Sequence, residues 1–206
     1  MSFYTDQLVP RLVNLVCSTR GVSRWRRLVV EGLTGSVVEI GFGSGLNVPF
    51  YPSAVERVYA VEPRDVSWRL AQRAILASPI TITRAGLDGQ HLPLEDASCD
   101  SALCTFTLCT VADDALAARE LFRVLKPGAS LHVLEHGIAP DQRVAAWQRR
   151  LDPLEHVLAD GCHLTRDATA VLEAAGFAVT RLEQRYESGP KPWSYFTAAL
   201  ATKPLD

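Results

Sequence analysis

Between Ser36 and Glu62 the chain places an acid, three glycines and a second acid at spacings that suit a nucleoside. Glu39, Gly41, Gly43 and Gly45 alternate around and behind the apolar run Val37, Val38 and Ile40. Glycine has no Cβ, so a turn built from it takes positive φ and lies flat against a ligand. A helix-like segment opens after Leu46, at Asn47, and its free N–H groups would face the same crevice. A second apolar run over 57–61 ends at Glu62 and Pro63, placing a carboxylate where a ribose diol needs an acceptor. Leu46 stands at the third glycine of a dinucleotide fingerprint, which argues against a nicotinamide dehydrogenase. No Gly-Lys-Ser/Thr follows the glycines, so the phosphate-cradling P-loop pattern is missing.

Other residues with chemistry to offer lie further along. The polar stretch 86–93 carries Leu87, Asp88 and Gly89, where Asp88-Gly89 also reads as a turn dipeptide. Thr105, Phe106, Leu108 and Cys109 follow a fourth apolar run, and His136 ends a fifth. A histidine there is placed to take or orient a proton, or to hydrogen-bond the backbone. Cys109 and Cys162 would need an activating partner to act as nucleophiles, and spacing shows none; both read as small buried hydrophobes. Phe106, Leu108, Trp147 and Trp193 are apolar groups for a substrate pocket, and each also suits plain core. Arg166 reads as an ion-pair partner of Asp160 or Asp167, or as a contact for an acidic substrate group.

These groups need elements to position them. Helical periodicity covers 5–17 (Leu8, Leu12, Leu15, Val16) and 23–33, two helices set to pack on an edge or cover the crevice. Strands are predicted at 36–40, 57–62, 80–85, 101–105, 130–134, 177–186 and 194–202. Helices are predicted near 46–50, stopped by Pro49 and Pro52, and at 65–77 and 113–125. A long helix over 141–159 is kinked or broken at Pro153, and one over 166–175 is capped from Thr165 to Asp167. The last two strands are joined only by 187–193, too short for a helical crossover, so they form an antiparallel hairpin.

Composition sets the outer bounds. The 206 residues are 48% hydrophobic and 21% charged with net charge −2, which fits one soluble globular domain and offers no basic surface for nucleic acid. The five cysteines form no CxxC pair; they read as reduced thiols of a cytoplasmic protein, with no metal site or disulfide framework. No stretch approaches a membrane span of about 20 apolar residues.

The pattern Glu39-x-Gly41-x-Gly43-x-Gly45 resembles motif I of the class I S-adenosylmethionine (SAM) methyltransferases. A narrower resemblance, over roughly 37–177, is to the methyltransferase-like thiol S-methyltransferases. It is carried by Phe50-Tyr-Pro52, Cys104-Thr-Phe-Thr-Leu-Cys109-Thr-Val111, Arg123-Val-Leu-Lys-Pro-Gly128, Glu135-His136, Trp147-Gln148, Leu151-Asp-Pro153, Asp160-Gly-Cys162 and Leu164-Thr-Arg166. Phe42 stands where those proteins usually have Cys, and Glu62 where they have Asp. The animal members begin with a hydrophobic anchoring segment that is not matched here, so no stable membrane anchor is expected.

What the resemblance implies is an α/β fold in one domain over 1–206. N-terminal helices in 1–34 would act as a possible lid. Residues 35–206 would form the SAM-binding core and substrate cap around a Rossmann-like seven-stranded sheet, mostly parallel with a C-terminal antiparallel hairpin. Asp88 would accept from the adenine amino group, with Leu87 and Gly89 flanking the ring. Glu39, Gly41, Gly43, Gly45, Asn47, Glu62, Pro63, Thr105 and Phe106 would complete the cofactor site. Leu108, Cys109, Trp147 and Cys162 would form the substrate pocket, with His136 as base. The implied reaction is methyl transfer to a small-molecule thiol or sulfide. The competing readings are a carbon or oxygen methyltransferase, such as one acting on a quinone precursor, and a non-catalytic SAM-binding module.

Overall fold

The computed structural model describes residues 9–159 and 161–205. The first part of the predicted 5–17 helix, with Leu8, and the Asp160 of the Asp-Gly-Cys segment lie outside them. Seven strands form one sheet in the order β3-β2-β1-β4-β5-β7-β6. They are β1 (Gly35–Ile40), β2 (Val55–Val61), β3 (Thr81–Gly86), β4 (Cys99–Thr105), β5 (Leu125–His136), β6 (Ala178–Tyr186) and β7 (Tyr195–Thr202). All neighbours pair in parallel except β7, which inserts antiparallel between β5 and β6. The helices are α1 (Val9–Cys17), α2 (Arg20–Val29), α3 (Asp65–Ala77), α4 (Asp114–Val124), α5 (Gln142–Leu158), α6 (Ala168–Ala174) and α7 (Lys191–Ser194).

Side chains alternate across a strand, so each central strand feeds two cores. Val37 and Leu103 turn to the face covered by α2 and α3, where Trp25, Val29 and Ala71 pack. Val38, Ala102 and Cys104 turn to the face covered by α4 and α6, with Leu121, Leu172 and Phe177. Both faces being covered explains why β1 and β4 read as nearly unbroken apolar runs. No described helix is long and apolar enough to cross a membrane.

Two local readings change and two are narrowed. The segment after the glycines is one 3-10 turn, Val48–Phe50 with Pro49 inside it, because Pro49 and Pro52, three positions apart, leave no room for an α-helix. β5 begins at Leu125 and takes in Lys126-Pro-Gly128, with its pairing to β4 shifted between Cys99 and Ser101. α5 runs unbroken through Pro153. The cap of α6 is Asp167, whose carboxylate accepts from the N–H groups of Thr169 and Ala170 at 3.0 and 3.2 Å; the Thr165 hydroxyl donates to Asp152 instead.

Candidate active site

A crevice of about 460 Å³ opens at the carboxyl ends of β1, β2 and β4. Gly41, with φ +65°, and Gly43, with φ +59°, form its floor. The Gly43 N–H donates to Glu62 Oε2 at 2.8 Å, and the Arg64 N–H donates to Glu62 Oε1 at 2.8 Å. Burial raises the Glu62 carboxyl above its ordinary value, opposed by these two N–H groups. Pro63, Leu87, Asp88 and Gly89 stand beside Glu62 in the same wall. Asp88 Oδ1 accepts from the Gln90 N–H at 2.8 Å, while Oδ2 lies 2.9 Å from His91 Nδ1. The His91 contact and then the Gln90 donors hold its carboxyl below the usual range. Val13, Asn14 and Cys17 of α1 also line the crevice. Helix α2 lies mainly against β5 and β7, although its Arg26 reaches the wall.

Glu39, Gly45 and Asn47 lie beneath the crevice and outside its lining. Glu39 is fully buried and accepts from Asn47 Nδ2 at 2.8 Å and from the Tyr51 hydroxyl. Asn47 Oδ1 accepts from Arg26 Nη1 at 2.8 Å, and both residues donate to Thr105 Oγ1 at 3.0 Å. The network ties the glycine turn to α2 and to the end of β4. Gly45 has φ +74°, and a Cβ there would meet Ala71 of α3 at 3.2 Å.

Burial lifts the Glu39 carboxyl to about 7, against the hydrogen bonds of Tyr51 and Asn47 that lower it. An unfolded glutamate gives up its proton near 4.5, so between these values the folded chain holds a proton that the unfolded chain has lost. Stability is therefore expected to fall as pH rises from 4.5 to 7, by on the order of 3 kcal/mol, and then to level off. Glu39→Gln should flatten this slope in denaturant titrations at several pH values. An unchanged slope would show that Glu39 does not carry it.

The third wall is the turn after β4. Phe106 takes φ +52°, and Thr105, Phe106, Thr107, Thr110 and Val111 line the crevice. Two residues from later in the chain hold this turn from opposite sides. Buried Glu135 accepts from the N–H groups of Thr107, Leu108 and Cys109 at 2.7, 2.9 and 3.3 Å. Arg166 donates to the carbonyls of Leu108, Val111 and Ala112 and pairs with Asp114 at 3.2 Å. Neither role is visible in spacing, and Arg166 is engaged with this turn rather than with Asp167.

The expected substrate residues divide. Leu108 is 2% exposed and points into the core. Trp147 is corrected: it is 55% exposed on α5 and faces Arg150. The buried face of α5 carries Val144 and Gln148, and one residue of offset turns Trp147 about 100° away. Trp193 donates to Glu155 at the surface. His136, Cys109 and Cys162 come together outside the crevice lining. His136 Nε2 lies 3.0 Å from Cys162 Sγ, and the His136 ring stacks on Phe106 at 6.4 Å. It borders a second cavity of about 220 Å³ with Arg166 and Tyr195. Burial pulls the His136 imidazolium down, but the charge and hydrogen bond of Cys109 outweigh it and raise it to about 9.

A methyltransferase-domain family model matches residues 38–133. The chain is 34% identical over 164 residues to the human thiol S-methyltransferase TMT1A, covering 77% of this chain and 65% of that protein. It is 33% identical over 172 residues to the mouse thiol S-methyltransferase TMT1B, covering 80% of this chain and 68% of that one. The chain belongs to this methyltransferase family. It spans about two-thirds of the relatives' length. A solved structure described as a methyltransferase from Bacillus halodurans shares the fold, with TM-score 0.69 and 16% identity over 87% of this chain and 97% of that one.

The cofactor of this family member is SAM, and the crevice fits it. Glu62 would offer its held carboxylate to the ribose hydroxyls, and Asp88 would offer a second acceptor to the adenine amino group. A Cβ on Gly43 would meet nothing closer than the Gly41 carbonyl at 3.8 Å, so the floor there is open for a ligand to lie on. Glu62→Ala is expected to weaken SAM binding by about 1–3 kcal/mol through loss of a charged acceptor. Calorimetric titration checks this; unchanged affinity would remove Glu62 from the site.

Proposed function

We propose that this protein transfers the methyl group of SAM to a small-molecule thiol by in-line displacement, releasing S-adenosylhomocysteine. The observation that carries this reading is the chemistry of the crevice lining other than Glu62 and Asp88. It includes Val13, Cys17, Arg26, Phe106, Thr110, Val111 and Ala159. Among the described residues this lining offers no histidine, no lysine and no further carboxylate. A thiol with a pKa near about 8.5 is partly ionised at neutral pH and needs little help, whereas an alcohol or a carbon acid calls for a placed general base. The names of the related proteins support the same acceptor class.

SAM supplies, when bound, an electrophilic methyl on a sulfonium cation. The chain's own contribution is to hold and align. Glu62, Gly43 and Asp88 fix one end of the crevice, and the turn gripped by Glu135 and Arg166 fixes the other. Such positioning is worth up to roughly 7–11 kcal/mol in favourable models. Exclusion of water from the crevice would favour a displacement that consumes one negative and one positive charge, because charge separation is costly there.

The test is purified protein with methyl-labelled SAM and a series of thiols from sulfide to aryl thiols, beside phenol, catechol and quinol. Label on sulfur alone is the expected result. Label on oxygen or carbon would overturn the acceptor class. SAM binding without transfer to any acceptor would leave a binding module.

A further inference from the structure

Cys109, His136 and Cys162 come from three separate parts of the chain: the turn after β4, the last residue of β5 and the connection from α5 to α6. Their ligand atoms all lie within 4.8 Å of one another, with His136 Nε2 3.0 Å from Cys162 Sγ. Tetrahedral zinc, with Zn–S about 2.3 Å and Zn–N about 2.0–2.1 Å, places its ligand atoms about 3.5–3.8 Å apart. Only small side-chain adjustments separate the two arrangements.

The backbone around each ligand is firmly built. The Cys109 N–H donates to Glu135, and its carbonyl accepts from the His163 N–H at 2.7 Å. His136 is in the β5–β7 ladder opposite Phe196. The loop bearing Cys162 is held by Asp152, which accepts from the N–H groups of Leu164 and Thr165 at 2.6 and 3.1 Å and from His163 Nδ1 at 2.8 Å. Gly161, with φ +90°, lets this loop approach the Thr110 carbonyl, which a Cβ would meet at 3.0 Å. Cys109 is 2% and Cys162 7% exposed.

We propose that Cys109, His136 and Cys162 bind a Zn²⁺ ion through three protein ligands and leave a fourth position for an exchangeable thiolate. Two thiolates and a neutral imidazole around Zn²⁺ sum to zero charge, which suits a buried site. Thiolate and imidazole ligands together select zinc over calcium, magnesium or manganese. Three protein ligands plus one open position is the arrangement in which zinc activates a bound group. The site stands beside the crevice: Thr110, whose hydroxyl is 3.4 Å from Cys109 Sγ, lines it, and Phe106 lies between it and His136. The fourth position as a place for the methyl acceptor rests on the thiol reading above; the metal site itself does not.

The full chain, reconstituted with Zn²⁺ and dialysed, is expected to retain one zinc per chain by mass spectrometry. Cys109→Ser, Cys162→Ser and His136→Ala should each weaken retention by about 100-fold or more, since losing even a group that only orients a ligand costs about 10–100-fold. SAM affinity serves as the control for folding of the variants, because none of the three residues lines the crevice. Cobalt(II) in place of zinc should show thiolate charge-transfer bands that shift when ethanethiol is added. A wild-type chain that retains no zinc, or variants that retain as much as wild type, would overturn the site. Cobalt bands that ignore ethanethiol would overturn the exchangeable position. Bands that shift while no thiol is methylated would keep the metal site and remove the proposed methyl transfer.

Discussion

Gly41→Ala is expected to cost more than about 3 kcal/mol of stability and to abolish SAM binding, through strain and overpacking together. The position has φ +65°, and a Cβ there would sit 2.7 Å from Thr107 Cγ2 and 2.8 Å from Thr107 Cβ. Thr107 has nowhere to go, because its N–H is bound to Glu135 and its hydroxyl donates to the Thr105 carbonyl at 3.1 Å. Gly43→Ala is the control. Its φ of +59° brings similar strain, about 1–2 kcal/mol, but its Cβ points into the open crevice. Gly43→Ala should therefore lose SAM affinity with a modest drop in melting temperature. Equal stability losses for the two variants would show that Thr107 does not pack as described.

Glu135→Ala is the second large effect, expected at about 3–5 kcal/mol, because it strands three N–H groups in a buried turn. Burial first, and then the charge of Cys109, raise this carboxyl well above its ordinary value, against the N–H groups of Thr107 and Leu108 that lower it. Glu135→Gln keeps one acceptor oxygen and should lose about half as much. The two variants are compared by urea denaturation, with SAM affinity followed alongside. A loss below about 1 kcal/mol for the alanine variant would mean that water replaces the carboxylate at the turn.

What the sequence disclosed was what is local in it. The acid–glycine pattern from Glu39 to Gly45, the acid ending β2 and the Asp88 loop each declare themselves within a few residues, and all but Glu39, Gly45 and Asn47 reach the crevice wall. Strand positions were legible because buried parallel strands are runs of apolar residues between breakers. The unread parts depend on what the sheet brings together. Pairing of Thr105 with Leu134 sets Phe106 and Thr107 beside Glu135 and His136, although 29 positions separate the paired residues. Arg26 and Tyr51, which complete the network of Glu39 and Asn47, carry no spacing signal. Arg166 looked like a surface cation because its acceptors are backbone carbonyls, which any residue can supply. Trp147 shows the opposite failure: it belongs to a distinctive segment, yet the turn of α5 points it to solvent.

The grip on the turn after β4 also bears on how such a protein changes over evolutionary time. The family model ends at residue 133, two residues before Glu135 and well before Cys162 and Arg166. The general methyltransferase module thus supplies the crevice floor and the acids, while Glu135 and Arg166 lie beyond it, in segments that the narrower resemblance to the thiol S-methyltransferases takes in. Substitutions in those later segments would therefore shift the wall after β4 without touching the glycine turn or the acids beside it.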